Sequence, residues 1–301
     1  MTSSLVGSEM CIRDRIQTIM KINVILITYN QAVYMPQTLE SILAQETAHD
    51  VEIIVADDCS TDNTVDIIKE YENKTGFKFT YLQKSHNVGY NKNYRQAFAA
   101  CTGDYVAIME GDDYWLKQNH LQNHIDHLEA YAESSMSYNR HLRLFVDQNR
   151  EEIFDWTESN DYELITTEQL ALGNKIGNLS CCVFRGKHVQ NLDSRLFDME
   201  IADWMLGMYM GQFGPLLYLE DVTSAYRIHD NGQWSKMDDK TQYLRIIEFI
   251  NEYDKYFNYK YTEAFTKHKR RLEILLYGDK SLRGRIKSIT PGFIRKIIRK
   301  L

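Results

Sequence analysis

With 301 residues, 44% hydrophobic, 12% aromatic and 26% charged, the chain is too apolar and too varied for a disordered, collagen-like or disulfide-scaffold protein. Only 3 prolines and 15 glycines are present, so mostly regular secondary structure around a sizeable core is expected. The net charge of −7 conceals a split: Lys267 to Leu301 holds 12 Lys/Arg against Glu273 and Asp279, a net of +10, leaving −17 for the rest.

Residues 1–19 follow no signal-peptide plan, because Arg13, Asp14 and Arg15 interrupt them and no apolar run follows a basic start. The stretch from Ser4 to Arg15 resembles translated sequencing-adapter read-through, which makes 1–19 a non-native extension and Met20 the expected start. Ile22 to Ile27 is a continuous β-branched run ending in Thr28-Tyr29-Asn30, the pattern of a buried parallel strand feeding a loop. Pro36 then opens a helix carrying Leu39, Ile42 and Leu43. Val51 to Ala56 repeats the strand pattern, and Asp57 to Asp62 supplies turn and cap chemistry before a helix with Val65, Ile67 and Ile68. A third strand is expected at Phe79 to Leu82, a helix at Tyr94 to Ala100, and a fourth strand at Tyr105 to Met109 running into Glu110-Gly111-Asp112-Asp113.

This alternation predicts an α/β fold with a mainly parallel sheet flanked by helices. Ligands in such sheets sit at the carboxyl ends of the strands, where Thr28-Tyr29-Asn30, Asp57-Asp58 and Asp112-Asp113 all fall. Further on, a helix bears Leu121, Ile125 and Leu128, strands are expected at Ser135 to Val146, Asn178 to Phe184, Leu216 to Leu219 and Ser224 to Ile228, and a helix at Asp203 to Phe213. Two helices, Lys240 to Phe257 and Tyr261 to Tyr277, lead to the basic tail.

The cysteines number five, with no C-x-x-C, which reads as reduced thiols in a cytoplasmic protein. The longest apolar runs are strand-length, well short of the roughly 20 residues of a spanning helix. Within the tail, Phe293, Ile294, Ile297, Ile298 and Leu301 share one helical face, with Arg295, Lys296, Arg299 and Lys300 opposite. Such a helix either packs its stripe on the domain or lies on an anionic membrane surface, and one-signed charge over the last 35 residues favours the membrane. Nucleic acid is disfavoured: the tail has no aromatic ladder and the acidic body repels phosphates.

Glu110, Asp112 and Asp113 place three carboxylates close together, a conflict that a hard divalent cation, Mg²⁺ or Mn²⁺, resolves. A solvated acidic turn gives the same pattern in isolation. Context separates the two. Thr28-Tyr29-Asn30, Asp57-Asp58-Cys59-Ser60-Thr61-Asp62-Asn63-Thr64, His86-Asn87-Val88-Gly89, Thr102-Gly103-Asp104-Tyr105 and Glu110-Gly111-Asp112-Asp113-Tyr114-Trp115 occur in the order and at the spacing of family 2 glycosyltransferases, so residues 21 to about 235 resemble that family.

The resemblance implies a GT-A fold over 20–235, with a nucleotide-sugar half at 20–115 and an acceptor and catalytic half at 116–235, and a helical extension at 236–301. It implies that Thr28, Tyr29 and Asn30 border the nucleotide base and that Asp58 accepts its imide N–H, with Asp57 and Asn87 beside it. Asp112 would lie near the ribose and the metal, Asp113 would bind the metal, and His229 would complete its shell. Arg227 would meet a phosphate. Asp203, at the start of its helix, is the expected base of an inverting transfer, ahead of Glu200 and Asp198.

The function so implied is transfer of one sugar from a UDP- or dTDP-sugar to a saccharide or lipid-linked acceptor, in surface-glycan assembly at the inner face of the cytoplasmic membrane. A Q-x-x-R-W sequence, carried by processive relatives, is missing, which favours a single addition. Two other readings remain: a nucleotidylyltransferase, which lacks its Gly-rich phosphate loop here, and a nucleotide-sugar-binding scaffold without catalysis. Tyr114, Trp115 and Trp156 are candidates to stack on sugar rings, although such residues more often belong to a core.

Overall fold

The computed structural model describes residues 18–154, 162–230, 232 and 234–278. Most of the N-terminal extension, Trp156, Asn231, Gln233 and the amphipathic tail from residue 279 onward therefore lie outside the described residues. The elements in chain order are β1 Lys21–Thr28, α1 Met35–Leu43, β2 Asp50–Asp57, α2 Thr64–Glu72, β3 Lys78–Tyr81, α3 Tyr90–Ala100, β4 Tyr105–Glu110, β5 Tyr114–Trp115 and α4 His120–Ala130. There follow β6 Met136–Phe145, β7 Arg150–Phe154, β8 Tyr162–Ile165, α5 Thr167–Ala171, β9 Cys182–Arg185, α6 Gly186–Val189, α7 Asp203–Met210, β10 Leu216–Ile228, α8 Asp239–Tyr256 and α9 Thr262–Tyr277.

One sheet runs in the order β3-β2-β1-β4-β9-β6-β10-β5, with β7 on β6 and β8 on β10. The first four strands are parallel, as their continuous apolar runs require. Successive side chains of β1 point to opposite faces. Ile22, Val24 and Leu26 pack with Met35, Leu39 and Ile42 of α1 and Leu121 and Ile125 of α4, while Ile25 and Ile27 join Tyr94, Ala97 and Phe98 of α3.

Parallel pairing does not extend through the second half. The segment before β9 turns at the carboxyl edge of the sheet, so β9 leaves that edge antiparallel to β4, and β6 is antiparallel to β9. The two short strands expected at Leu216 to Leu219 and Ser224 to Ile228 form a single strand, β10, whose pairing with β6 shifts between Leu219 and Ser224. The strand expected at Asn178 to Phe184 begins only at Cys182.

All residues of α7 from Trp204 to Met210 are buried, so it is an interior helix. Its outer side is covered by α8 and α9: Trp204 meets Tyr253 and Phe265 edge-on at 5.2 and 6.1 Å and donates Nε1–H to the Leu170 carbonyl at 2.8 Å. Phe249, Ile250, Tyr253, Phe265 and Leu272 belong to the same core cluster as the sheet. The helices after residue 235 are thus part of the body, because without them α7 would present apolar surface to water. Among the described residues no helix is long and apolar enough to cross a membrane.

Candidate active site

Three loops meet at the carboxyl edge of β1, β2 and β4. Asn30 (φ 53°) and Cys59 (φ 60°) adopt left-handed backbone, which costs a residue with a Cβ on the order of 1 kcal/mol. The two loops are stitched together where this happens: the Asn30 N–H donates to Ser60 Oγ at 2.8 Å and Asn30 Oδ1 accepts the Thr61 N–H at 2.7 Å. Asp57 accepts the Ser60 N–H at 2.9 Å. Tyr29 stands half exposed beside them.

Asp58 is buried at the end of β2. Its Oδ1 accepts the Val88 N–H at 2.8 Å and its Oδ2 the Gly89 N–H at 2.9 Å, which brings the exposed Asn87 into the same loop cluster. Each carboxylate oxygen keeps one lone pair for a ligand donor. Lys84 closes the group by donating Nζ–H to the Asp57 carbonyl at 2.8 Å.

After β4 the three acidic side chains separate. Glu110 accepts from Tyr94 Oη at 3.0 Å, and burial, reinforced by Asp113 and Asp112, holds its carboxyl well above the usual carboxylate range. Asp113 is fully buried: Oδ2 accepts from Asn178 Nδ2 at 2.9 Å and Ser180 Oγ at 2.7 Å, and Oδ1 from the Arg227 N–H at 2.9 Å. Burial and the Asp112 charge push its pKa up as well. Asp112 remains partly exposed, with Oδ2 3.1 Å from His229 Nε2. Their hydrogen bond draws the His229 pKa upward.

The geometry bears on two of the expected roles. Asp113 has no exposed surface and three protein donors, which anchor the turn, whereas Asp112 is the partly exposed carboxylate, hydrogen-bonded to the buried His229. Arg227 is only 5% exposed: its guanidinium is spent on the Asp112 carbonyl and Gln37 Oε1 and lies 5.2 Å from the Tyr34 ring centre and 4.4 Å from that of Tyr114. It ties β10 to α1 and the acidic turn. Trp115 is core, 3% exposed, with Nε1–H on the Ser180 carbonyl at 2.9 Å.

Two ligands at about 2.1 Å in neighbouring octahedral positions lie roughly 3 Å apart. The Asp112–His229 separation of 3.1 Å fits that pair, and the oxygen and imidazole set suits Mn²⁺. Among the described residues no three His, Cys, Asp or Glu side chains gather into a metal cage, so a cation here would take its other ligands from phosphate and water.

A Cβ at position 111 would crowd Gln31 Oε1 and lie 2.8 Å from Thr28 Oγ1, so a substitution there requires these side chains to shift; both oxygens are buried without a hydrogen-bond partner. Thr38 of α1, not singled out from the sequence, clamps the turn by donating Oγ1–H to the Gly111 carbonyl at 3.0 Å and the Asp113 carbonyl at 2.6 Å.

Asp203 is the first residue of α7, half buried, with Oδ2 accepting Asn174 Nδ2–H at 2.9 Å. Burial raises its pKa, opposed by donors from Asn174, Trp204 and Gly177. Its charge acts on both Glu110 and Tyr226, which places it beside the acidic cluster. Glu200 is paired with Arg245 at 2.6 Å, which ties it to α8. Asn178 and Ser180 were missed because Asn178 to Phe184 reads as a strand, and Asn174 because it falls between the expected elements; the signal available was the paired Gly-Asn steps at 173–174 and 177–178.

The model of the family described as glycosyl transferase family 2 matches residues 23–192. An uncharacterised protein of Mycobacterium tuberculosis is 27% identical over 215 residues, 70% of this chain and 60% of that one, so the match spans less than two thirds of the relative. The poly(ribitol-phosphate) beta-N-acetylglucosaminyltransferase TarS of Staphylococcus aureus is 35% identical over 100 residues, 33% of this chain and 17% of that one. Its residues 1–349 in complex with UDP-GlcNAc match with a TM-score of 0.57 at 17% identity, covering 88% of this chain and 78% of that one. The mannosyltransferase PcManGT of Pyrobaculum calidifontis, in complex with GDP-Man and Mn²⁺, matches with a TM-score of 0.65 at 14% identity over 94% and 80% of the two chains. The likeness to these structures establishes the GT-A fold.

Proposed function

The chain belongs to glycosyl transferase family 2, and from that premise we propose that it moves a single sugar, with inversion, from a UDP- or dTDP-sugar to a saccharide or lipid-linked acceptor in cell-surface polysaccharide synthesis. The observation that carries this reading is Asp203 itself: a carboxylate in the first turn of α7 with a raised pKa, whose charge acts on Glu110 of the acidic cluster at the carboxyl edge of the parallel strands. Support also comes from the neighbours solved with UDP-GlcNAc and GDP-Man and from the named role of TarS.

In this mechanism Thr28, Tyr29 and Asn30 border the base, Asp58 accepts its imide N–H through a free lone pair, and Asp57 and Asn87 hold the surrounding loops. Asp112 and His229 would hold a Mn²⁺ or Mg²⁺ ion, which supplies positive charge to the leaving diphosphate. Asp203 takes the proton of the acceptor hydroxyl as that oxygen attacks the anomeric carbon from the face opposite the nucleotide. The new C–O bond forms as the bond to the diphosphate breaks, and the electron pair leaves with the diphosphate. The raised pKa suits a base near neutral pH.

The basic tail, beyond the described residues, is assigned in the same proposal to the anionic inner leaflet of the cytoplasmic membrane.

The test is thermal stabilisation of residues 20–301 by UDP, dTDP, GDP and CMP, each with and without Mn²⁺. A ligand selective for the folded state raises the melting temperature. Metal-dependent stabilisation by UDP or dTDP is expected; no shift with any nucleotide overturns the donor-site reading.

A further inference from the structure

The segment joining α5 to β9 uses one device twice. It reads Gly173-Asn174-Lys175-Ile176-Gly177-Asn178-Leu179-Ser180. Asn174 accepts the Ile176 N–H on Oδ1 at 3.0 Å and donates from Nδ2 to Asp203 Oδ2 at 2.9 Å. Four residues later, Asn178 accepts the Ser180 N–H on Oδ1 at 2.7 Å and donates from Nδ2 to Asp113 Oδ2 at 2.9 Å. A primary amide suits both places because its carbonyl fastens the loop to itself while its NH₂ holds a carboxylate. Gly177, between them, has φ +82°, and a Cβ there would meet the Phe154 ring at 2.8 Å.

The loop is anchored at its far end. Ser180 Oγ donates to Asp113 at 2.7 Å and accepts the Glu110 N–H at 3.0 Å. One short rigid segment therefore joins the helix-start carboxylate to the acidic cluster after β4. Among the described residues, Asn174 is the side chain that donates a hydrogen bond to the Asp203 carboxylate.

The geometry points to Asn174 as a positioning residue: it orients and tunes Asp203 for the acceptor hydroxyl, through a loop whose other end is fixed to the acidic cluster by Asn178 and Ser180. This rests on the reading of Asp203 as the base. The titratable and charged groups that face Asp203 are Glu110 of β4, Arg143 of β6, and Tyr90, Cys182, Tyr226 and Tyr253 of α3, β9, β10 and α8. Asn174 itself is exposed, so it can be replaced without opening the core.

The first test needs no substrate. Melting temperatures are measured against pH for the wild-type chain, Asn174→Ala, Asp203→Asn and the double variant. Loss of the Asn174 donor leaves Asp203 harder to ionise, so Asp203→Asn is expected to raise the melting temperature more in the Asn174→Ala background than in the wild type at the alkaline end of the pH range, where the carboxyl is charged. An equal rise in both backgrounds overturns the inference.

The second test is turnover of UDP-GlcNAc against pH. Asn174→Ala is expected to lower kcat about tenfold or more, leave UDP affinity unchanged and move the acid limb of kcat/KM to higher pH, with Asn174→Asp moving it further by like-charge repulsion. Asn174→Gln restores part of kcat. Unchanged kcat and acid limb in the Ala and Asp variants, with Asp203→Asn inactive, sink this inference alone; an active Asp203→Asn sinks the base reading beneath it.

Discussion

The parallel strands β3-β2-β1-β4 and the mixed sheet β9-β6-β10 hold the cleft by different means. In the first, adjacent loops are joined by bonds between residues about 30 apart, such as Asn30 to Ser60 and Asp58 to Val88. The second uses long-range ties: Asn178 to Asp113, 65 residues apart, and His229 to Asp112, 117 apart. The first set of loops is therefore built into the local alternation of strand and helix. The second set of ties exists only once the sheet is complete. The two halves should fail differently when perturbed.

The largest effect is expected from Asp203→Asn, which removes the proposed base: turnover should fall by about 10²- to 10⁴-fold while UDP affinity is retained. The folded state holds this carboxyl at a raised pKa, so its charge costs stability at neutral pH, and the same variant should melt at a higher temperature. Loss of activity together with loss of UDP binding would break the separation of the two halves.

Next, Asp112→Asn should weaken Mn²⁺-dependent stabilisation by UDP by at least about tenfold, with metal-free binding little changed, as measured by calorimetry with and without chelator. Equal weakening in both conditions would assign Asp112 to the ribose alone.

A stability probe in the donor half comes third. Glu52 sits 2.6 Å from both Lys21 and Lys78 and accepts from Thr80 at 2.7 Å; burial alone would raise its pKa, but these partners outweigh it and bring it down to about 2. A lowered pKa means stability that is full above the unfolded value near 4.5 and is lost as the pH falls toward 2. Glu52→Gln should cost about 1–2 kcal/mol at pH 7 in urea unfolding, because solvent screens the exposed lysine partners, with the difference vanishing toward pH 2. A constant difference across that range would assign the loss to packing.

The smallest effect belongs to Thr166, whose side chain and that of Gln169 cap the start of α5 reciprocally. Thr166→Ala should cost about 1 kcal/mol without altering UDP binding.

What could be read from the sequence follows the same division. Strands β1, β2 and β4 announce themselves as continuous apolar runs, and the loops after them carry Asp58 and Asp112 in a recognisable order. Strands β5, β7 and β8 are short and pair at or near the edge of the sheet, with no periodic pattern long enough to register. For Arg227 the motif predicts proximity to the donor, and only the fold shows its guanidinium donating to Gln37 and the Asp112 carbonyl. Asn174 and Asn178 act on carboxylates 29 and 65 residues away, a distance at which periodicity says nothing.

The absence of a side chain at Gly111 constrains how this enzyme could be diversified. With Gln31 and Thr28 oxygens close to that position, thickening the wall behind the acidic turn requires those side chains to move first. On the proposed donor-site reading, a new donor preference enters more readily at the exposed Tyr29, Val33 or residues 85–87, where side chains can grow into solvent.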